Sequence, residues 1–490
     1  MYLGIDLGTS EIKAVLLDGD NRPLASAGAA LDVSRPRPGW AEQDPEDWWR
    51  AACAAVAKLR EQAPAALAAT RAVGLSGQMH GAVLLDNRDR VLRPAILWND
   101  LRSVAECAEL TAAAPRLHAV AGNLAMPGFT APKLRWLARH EPDAFRAVAT
   151  VLLPKDYLRL RLCGEKITDT SDASGTLWLD VGRRDWSDEL LEAGGLSRRQ
   201  MPRLVEGLAP AGRLSPAAAA AWGIAQPPLI AGGAGDGAAS AVGIGAIAPG
   251  DGFLSLGTSG VIFVVDDRFR PNPAQALHAF CHALPLRWSL MSVMLSAASC
   301  LRWFCRLASV DEATLLTEIE RLSPAEQAAA PVFLPYLSGE RTPHNDPFAP
   351  GAFWGLSQAH CRAALGYAVL EGVAFGMADG LDALRAAGAA PRALSLVGGG
   401  ARSPFWAQLL ADALDTEILT HQGGEACAAL GAARLGWLAD GGDLGAVCVK
   451  PSPRTLHAPD PVRLQALQAR LRHFRALYQA RPPSLAETLI

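Results

Sequence analysis

GIDLGTSEIKAVLLD, residues 4–18, decides the fold, because it joins two strand patterns through a tight turn. Apolar and polar residues alternate on both sides of Leu-Gly-Thr-Ser, as they do in half-buried strands. LSLGTSGVIFVVDD, residues 254–267, repeats that turn near the middle of the chain. The second copy has Ser255 where the first has Asp6, and an apolar residue where the first has Lys13. The sequence therefore predicts two halves of similar plan, of which only one is charged at the turn.

The size and composition of the chain indicate a soluble protein of two to four domains. It has 490 residues, of which 50% are hydrophobic and 19% are charged, as is usual for globular proteins. The net charge is -3 and no long basic run is present, so a nucleic-acid partner is not expected. No run reaches the roughly 18 apolar residues of a membrane span. The first residues read as a strand rather than a leader, which predicts a cytoplasmic location.

Cysteine and histidine patterns do not predict a metal or disulfide site. The nine cysteines are scattered without a Cys-x-x-Cys pair, which favours reduced, buried thiols. Cys300 and Cys305 are close in sequence, and core packing is the favoured interpretation over a redox role. His278 and His282 have helical spacing, but no third zinc ligand is evident at a suitable position.

The first half alternates strands and helices, which predicts the α/β class. Asp44 is placed to cap a helix whose first turn holds Pro45 and two acids. The expected elements are strands at 2–7 and 11–18 with a third after the turn at 18–23, a helix at 44–62, a strand at 71–77, helices at 130–142 and 152–164, a polar loop at 168–176, and a strand, glycine turn and Ala-rich helix within 227–252.

The second half repeats the strand–turn–strand start. We place the domain boundary near 245–250, giving domains 1–246 and 247–490. The expected elements are helices at about 291–308 and 311–322, a loop around a short strand at 331–347, a long helix at 362–388, a strand, triple glycine and helix within 393–414, and an Ala-rich helix at 425–436.

The two Gly-Thr-Ser turns are candidate phosphate-binding loops. A tight turn of glycine and small hydroxyl residues exposes backbone N–H groups that can surround a phosphate. One copy alone would be read as an ordinary hairpin turn, but two copies at the starts of similar halves favour two loops facing one cleft. Asp6, at the end of the first strand, could hold Mg²⁺ directly or through water.

Asp236 lies in GGAGDGAAS, residues 232–240, between an apolar strand and an Ala-rich helix. Asp-Gly is also a common surface-turn signal, so a plain turn is the alternative. However, α/β folds present reactive groups beyond the carboxyl ends of their strands. An acid here could accept the proton of a hydroxyl that attacks a phosphoryl group.

Two further stretches could contact ligands. LVGGGARS, residues 396–403, places glycines between a strand and a helix, where a bulky ligand can approach the backbone. Gln78 and His80 follow a strand end and, near the polar WNDLRS segment, are interpreted as contacts to sugar hydroxyls, with a buried core histidine as the alternative. No P-loop motif is present, and Pro249 argues against the near-match to a dinucleotide fingerprint at 243–248.

Taken together, these motifs resemble the FGGY carbohydrate kinases of the sugar kinase–heat-shock–actin superfamily. The resemblance covers nearly the whole chain. It is carried by GIDLGTSEIKAVLLD, WAEQDPEDWW, GQMHGAVLLD, RPAILWND, GFTAPKLRW, LLPKDYLRLRL, SDASGT, LSLGTSG, FCHALPLRW, PYLSGERTPHNDP and VGGGARSPFW.

The resemblance implies two actin-like, ribonuclease H-like domains around a central cleft that binds ATP and Mg²⁺. It also implies phosphorylation of D-xylulose at its terminal hydroxyl, with no nucleic-acid or membrane partner and with a homodimer as an expected assembly. The roles that it implies are Asp6 as the metal-associated acid, Asp236 as the general base, Met79 and His80 beside Gln78 as sugar contacts, Gly8, Thr9, Ser10, Lys13, Gly257 and Thr258 at the phosphates, and Gly399, Gly400 and Ser403 at the adenosine.

One departure keeps the substrate open at this point. Pentulose kinases of the family usually have Asn directly after the base, whereas this chain has Gly237. A kinase for another ketopentose or a polyol is therefore one alternative. A nucleotide-switched regulatory protein on the same fold is the other, although it would need neither a base nor a sugar site.

Overall fold

The opening residues form the predicted meander. The protein's structure is a computed structural model that describes residues 1–421 and 427–481. In it β1 (Tyr2–Leu7), β2 (Glu11–Leu17) and β3 (Pro23–Ala30) pair antiparallel in sequence order. Leu3, Ile5 and Leu7 are buried, because alternate residues of β1 face one core.

Helix α1 (Pro45–Gln62) begins where the sequence predicted. The Asp44 carboxylate accepts a hydrogen bond from the Glu46 N–H at 3.0 Å, and Pro45 occupies the first turn. The acidic residues Glu46 and Asp47 lie at the positive end of the helix dipole. Local sequence therefore accounts for this helix start.

The remaining elements of the first half surround a mixed sheet. The strands are β4 (Glu42–Gln43), β5 (Ala72–Gly77), β6 (Val83–Leu85), β7 (Ala95–Ile96), β8 (Thr150–Leu152), β9 (Ile167–Asp169), β10 (Leu179–Asp180), β11 (Asp185–Trp186), β12 (Arg203–Val205), β13 (Pro210–Arg213), β14 (Leu229–Ala231) and β15 (Ala234–Gly235). The helices are α2 (Pro64–Ala68), α3 (Val104–Ala113), α4 (Leu117–Ala121), α5 (Thr130–His140), α6 (Pro142–Ala147), α7 (Pro154–Cys163), α8 (Thr170–Ala173), α9 (Asp188–Ala193), α10 (Pro216–Trp222) and α11 (Asp236–Gly243).

The second half is built in the same way. Its strands are β16 (Gly252–Leu256), β17 (Gly260–Asp266), β18 (His278–Cys281), β19 (Trp288–Met294), β20 (Val332–Leu334), β21 (Ala352–Trp354), β22 (Ala393–Val397), β23 (Glu417–His421) and β24 (Pro453–His457). Its helices are α12 (Ala298–Leu307), α13 (Glu312–Glu320), α14 (Pro324–Ala329), α15 (Arg362–Ala386), α16 (Pro404–Leu414), α17 (Cys427–Ala439), α18 (Leu444–Val447) and α19 (Pro461–Ala480).

The two large sheets repeat one topology. The first has the order β13-β14-β5-β1-β2-β3, with β15 also paired to β5, and the second has the order β18-β19-β17-β16-β22-β23-β24. In each, an antiparallel meander is followed by strands parallel to its first strand: β5 beside β1, and β22 beside β16. The predicted repeat therefore lies in strand order and direction.

Helix α17 comes from the second half but packs on the first sheet. Its backbone lies so close that a Cβ on Gly4 would be 1.9 Å from the Ala429 carbonyl oxygen, and one on Gly74 would be 1.7 Å from that of Ala432. Only glycine permits such an approach. The division into 1–246 and 247–490 separates the two sheets in sequence and stays a prediction.

Two predicted elements and one interpretation of residue spacing were wrong. Residues 288–294 form β19 rather than the start of a helix, because they pair with β17 along their whole length. His278 lies on β18, so its spacing to His282 is not helical. Residues 168–176 are not an exposed loop but contribute to β9, α8 and a short 3₁₀ turn, all buried.

Two apolar features belong to the core. Helix α15 is long and apolar enough to cross a membrane, and 94% of its most apolar window is buried inside the protein. Cys300 and Cys305 are buried free thiols on α12 and join the same hydrophobic cluster. Packing therefore accounts for both features.

Candidate active site

The turn between β1 and β2 is fixed by a chain of side-chain hydrogen bonds. The Thr9 hydroxyl donates to Gln78 Oε1 and accepts from Trp98 Nε1, both at 2.9 Å. Gln78 Nε2 in turn donates to Gln43 Oε1 at 3.0 Å, and Gln43 Nε2 donates to the Thr9 carbonyl at 2.7 Å. Gln78 is thus committed to the turn, so its predicted contact to sugar is not favoured by this geometry. The exposed Ser10 lies next to Thr9.

The turn between β16 and β17 is held from the start of α12. The Thr258 carbonyl accepts from the Ala297 N–H at 3.0 Å and from the Ser299 hydroxyl at 2.7 Å. The Thr258 hydroxyl accepts from Arg302 at 2.9 Å. Gly257 begins this turn, and a Cβ there would meet only the Ser259 carbonyl at 3.7 Å. Each turn is therefore a braced loop rather than a free hairpin.

Asp6 and Asp236 lie at the same edge of the first sheet. Asp6 pairs in register with Ser76 of β5, and Ser76 pairs with Ala234 of β15, which leads into α11. Since the carboxyl ends of parallel strands meet at one edge, the two acids come together. Their proximity is visible in the electrostatics, because the Asp236 charge adds to the rise in the pKa of Asp6.

Asp6 has the character of a cation-binding carboxylate. Burial first and Asp236 second raise its pKa to about 6, opposed by the Ser76 hydroxyl and by Lys13, its cross-strand neighbour on β2. Asp6 Oδ1 is buried without a hydrogen-bond partner among the described residues. Within residues 1–421 and 427–481 no cluster of three or more His, Cys, Asp or Glu side chains is available for a metal. The buried, unpartnered oxygen of Asp6 is compatible with Mg²⁺, which is commonly held by one or two carboxylates together with water and phosphate.

Asp236 is the first residue of α11. Its side chain is exposed, yet the protein around it displaces enough water to raise its pKa. The N–H of Gly237, which donates to Oδ1 at 2.8 Å, and the N–H of Asp236 itself oppose that rise. A carboxylate at a helix N-terminus can thus remain ionised and still accept a proton.

Gly237 leaves open space beside Asp236. A Cβ at this position would lie 3.6 Å from Met291 Sδ and 3.8 Å from the Phe263 ring, which are ordinary contacts. We expect Gly237→Ala to raise the free energy of unfolding by about 0.5–1 kcal/mol, because alanine restricts the unfolded chain. Urea denaturation measures this change.

Gly235→Ala is the control of opposite sign. Its Cβ would lie 2.8 Å from Met79 Cγ and 2.9 Å from Met79 Sδ, so we expect a loss of stability. A Gly237→Ala protein less stable than the wild type would contradict the open space described here.

Met79 and His80 lie close to Asp236. Met79 packs against Gly235, the residue that precedes Asp236 in the chain. His80 has a left-handed backbone with φ of 71°, and its carbonyl accepts from Lys133 Nζ at 2.9 Å and from Thr130 at 3.1 Å.

The His80 ring is neutral. Burial first, and then the nearby Lys133 and Arg341, lower its pKa to about 3, although the Gly175 carbonyl opposes this. Nδ1 lies 2.7 Å from the Gly175 carbonyl oxygen, so Nδ1 must carry the hydrogen and donate. Nε2 is therefore left as an acceptor, suited to a hydroxyl group.

The triple glycine joins β22 to α16. A Cβ on Gly399 would meet nothing within 4 Å, whereas one on Gly400 would lie 2.2 Å from Leu256 Cδ2. Ser403 is buried and caps α16, since its hydroxyl accepts from the Trp406 N–H at 3.2 Å. Gly399 thus presents open backbone, while Gly400 and Ser403 shape the turn beneath it.

Sequence reasoning missed a buried ionic cluster around Lys155. Lys155 Nζ lies 2.5 Å from Asp156, 2.8 Å from Asp169 and 3.1 Å from Asp172, and all four side chains are fully buried. The signal was the pair Lys155 and Arg159, which lie one turn apart and so share one face of α7. If that face is buried, each cation needs a buried partner.

His278 also serves a structural role. Arg341 donates to its Nε2 at 3.1 Å, so its Nδ1–H donates to Asn123 Oδ1 at 2.9 Å. Both ring nitrogens are used, which leaves no lone pair for a metal.

Comparison with known proteins identifies the family. The FGGY family of carbohydrate kinases matches with its N-terminal domain over residues 1–243 and with its C-terminal domain over residues 252–439. Xylulose kinase of Escherichia coli (strain K12) is 51% identical over 489 residues, 99% of this chain and 100% of that protein. A solved structure of a xyloylose kinase from Brucella ovis has a TM-score of 0.95 at 50% identity, covering 98% of this chain and 99% of that one. Xylulose kinase from Rhodospirillum rubrum has a TM-score of 0.89 at 31% identity, with 98% of each chain covered.

Proposed function

The chain belongs to the FGGY family of carbohydrate kinases, and we propose that it transfers the terminal phosphoryl group of ATP to D-xylulose, giving D-xylulose 5-phosphate. The observation that carries the reaction is Asp236. Its carboxylate is exposed, follows Gly235, which packs against Met79, and is close enough to Asp6 for its charge to raise the pKa of that acid. That is where a hydroxyl nucleophile must lose its proton to attack a phosphoryl group.

In the proposed reaction, Asp236 accepts the proton of the sugar's terminal hydroxyl. The hydroxyl oxygen bonds to the γ-phosphorus, and the bond between that phosphorus and the β–γ bridging oxygen breaks to release ADP. Asp6 would hold Mg²⁺, which when bound neutralises charge on the phosphates. We assign Gly8, Thr9, Ser10 and Lys13 to one side of the phosphates and Gly257 and Thr258 to the other, where backbone N–H groups stabilise the developing charge. We assign the adenosine to the open backbone at Gly399, with Gly400 and Ser403 supporting it.

His80 and Met79 would select the sugar. The Nε2 lone pair of His80 would accept from a sugar hydroxyl, and Met79 would supply an apolar contact. The strong relation to xylulose kinases along the full chain supports D-xylulose over other sugars.

A purified enzyme assayed for ADP release with D-xylulose, other ketopentoses, aldoses, polyols and glycerol tests this choice. If only another ketopentose or a polyol stimulates ADP release, that compound is the substrate instead of D-xylulose. If no sugar stimulates ADP release, a nucleotide-switched regulator is favoured.

Ser255 occupies the place in the second half that Asp6 has in the first. We expect Ser255→Asp to weaken ATP binding about tenfold, or about 1.4 kcal/mol, because a second negative charge would face the phosphates. Isothermal titration with ATP measures the change, and Ser255→Asn is the neutral control of similar shape. An unchanged ATP affinity in Ser255→Asp would mean that Ser255 does not face the phosphates.

We also place the enzyme in the cytoplasm, which supplies ATP, and expect a homodimer. Fractionation of the host cells tests the location. Sedimentation equilibrium of the purified protein tests the dimer.

A further inference from the structure

The segment from Ala231 to Gly235, which includes β15 and leads into Asp236, is held at the Gly235 N–H by one serine. Gly235 directly precedes Asp236, and its N–H donates to the Ser171 hydroxyl oxygen at 3.2 Å. The Ser171 hydroxyl in turn donates to Asp169 Oδ1, which also accepts from the Ser171 N–H at 2.8 Å. Ser171 and Asp169 are both fully enclosed, so this hydrogen-bond geometry is not shared with solvent.

The same segment is held at its first two carbonyl groups by an arginine. Arg159 donates from one guanidinium nitrogen to the Ala231 carbonyl at 2.7 Å, and from the other to the Gly232 carbonyl. Arg159 is fully buried on α7, one turn after Lys155. The strand end and glycine turn before Asp236 are therefore fixed at both ends by side chains.

Lys155 strengthens the support that Ser171 provides. Its ammonium group contacts Asp169, the acceptor of the Ser171 hydroxyl, at 2.8 Å. Burial alone would lower the pKa of Lys155, but the carboxylates of Asp156, Asp169 and Asp172 outweigh it and raise that pKa. A charged lysine thus fixes the Asp169 carboxylate, and the carboxylate fixes Ser171.

A buried ionic cluster of this kind adds little stability over an apolar core of the same volume. The cluster would instead serve to fix the positions of nearby groups, because a reacting group must be held to within a fraction of an ångström. We propose that Ser171 is a positioning residue for phosphoryl transfer: through the Gly235 N–H it sets where Asp236 stands at the start of α11. This inference rests on the proposed function, in which Asp236 is the base.

Ser174 provides a matched control three residues further on. It is equally buried, and its hydroxyl also donates once and accepts once: to the Thr170 carbonyl at 2.8 Å, and from the Cys281 N–H at 3.0 Å. Its accepted bond reaches β18 rather than the segment before the base. Loss of a buried hydroxyl can therefore be separated from loss of the contact to Gly235.

The test compares Ser171→Ala with Ser174→Ala in the full-length enzyme. We expect Ser171→Ala to lower kcat with D-xylulose by about 10- to 100-fold, because a small displacement of the base is costly. The KM values for D-xylulose and ATP should stay within about twofold, since Ser171 contacts neither substrate. Ser174→Ala should keep kcat within about twofold, and thermal unfolding shows how much stability each variant loses.

A Ser171→Ala enzyme with wild-type kcat would overturn the proposal, as would equal changes in kcat for the two alanine variants. If Ser171→Ala does not fold, Ser171→Cys replaces it, because a thiol has a similar volume but accepts the Gly235 N–H poorly. A folded Ser171→Cys enzyme with normal kcat would also overturn the proposal. If the wild type phosphorylates a different sugar, the comparison uses that sugar and the same kcat loss is expected. A wild type inactive with every sugar would overturn both proposals, whereas an active wild type with unaffected Ser171→Ala overturns this one alone.

Discussion

Asp236→Asn is expected to lower the rate of phosphoryl transfer to D-xylulose by about 10³-fold while leaving ATP binding within about twofold. The amide keeps the size of the side chain but cannot accept the proton of the attacking hydroxyl. General-base catalysis commonly contributes about 10²- to 10⁴-fold, which sets the size of the effect. ATP contacts are assigned to the two turns and to Gly399, so the substitution should not remove them.

A coupled assay for ADP release gives the rate, and isothermal titration gives the ATP affinity. Asp251→Asn is the control: this partly buried acid pairs with Lys450 at 2.6 Å and has no part in the proposed reaction. We expect it to keep wild-type turnover. Near-normal turnover in Asp236→Asn would remove Asp236 from the role of base.

Lys155→Met is expected to lower the free energy of unfolding by about 3–5 kcal/mol. Methionine fills much of the lysine volume but leaves Asp156, Asp169 and Asp172 buried without their shared cation. Breaking a buried ion pair by removing one partner typically has this cost. Urea denaturation at neutral pH measures it.

The loss should become smaller as the pH is lowered. Burial raises the pKa of Asp156 and of Asp172 in the folded state, and Lys155 opposes that rise. Without Lys155 the folded state therefore binds more protons than the unfolded state over a wider pH range and gains stability as the pH falls. Lys166→Met is the control, because the Lys166–Asp89 pair is partly exposed and should contribute less than about 1 kcal/mol. Equal stability of Lys155→Met and the wild type at neutral pH would show that the cluster does not need its cation.

Much of the fold follows from local sequence. The two Gly-Thr-Ser turns with their alternating flanks predicted both meanders, and the capping residue Asp44 predicted the start of α1. The family resemblance carried by the motifs is confirmed by the comparisons along the full chain. These features are local because each depends on residues within a few positions of one another.

Other segments could not be predicted locally. WSLMSVM, residues 288–294, is apolar enough for either a helix or a strand, and pairing with β17 decides for the strand. Residues 168–176 look like a surface loop because they are polar, but the buried Lys155 compensates their acids and draws them inside. The predicted helix at 425–436 is observed from Cys427 onward, and its first two residues lie outside the described ones.

The sequence by itself determined the two repeated turns, the α/β alternation, the family, and Asp6 and Asp236 as the candidate acids. Only the tertiary structure decided which polar groups meet. Gln78 turned out to brace Thr9, Ser171 to hold Gly235, and Lys155 to gather three carboxylates. The physical reason is that a turn or a cap is set by neighbours in the chain, whereas a buried hydrogen bond joins groups that distant strands and helices bring together, and it must be satisfied wherever packing excludes water.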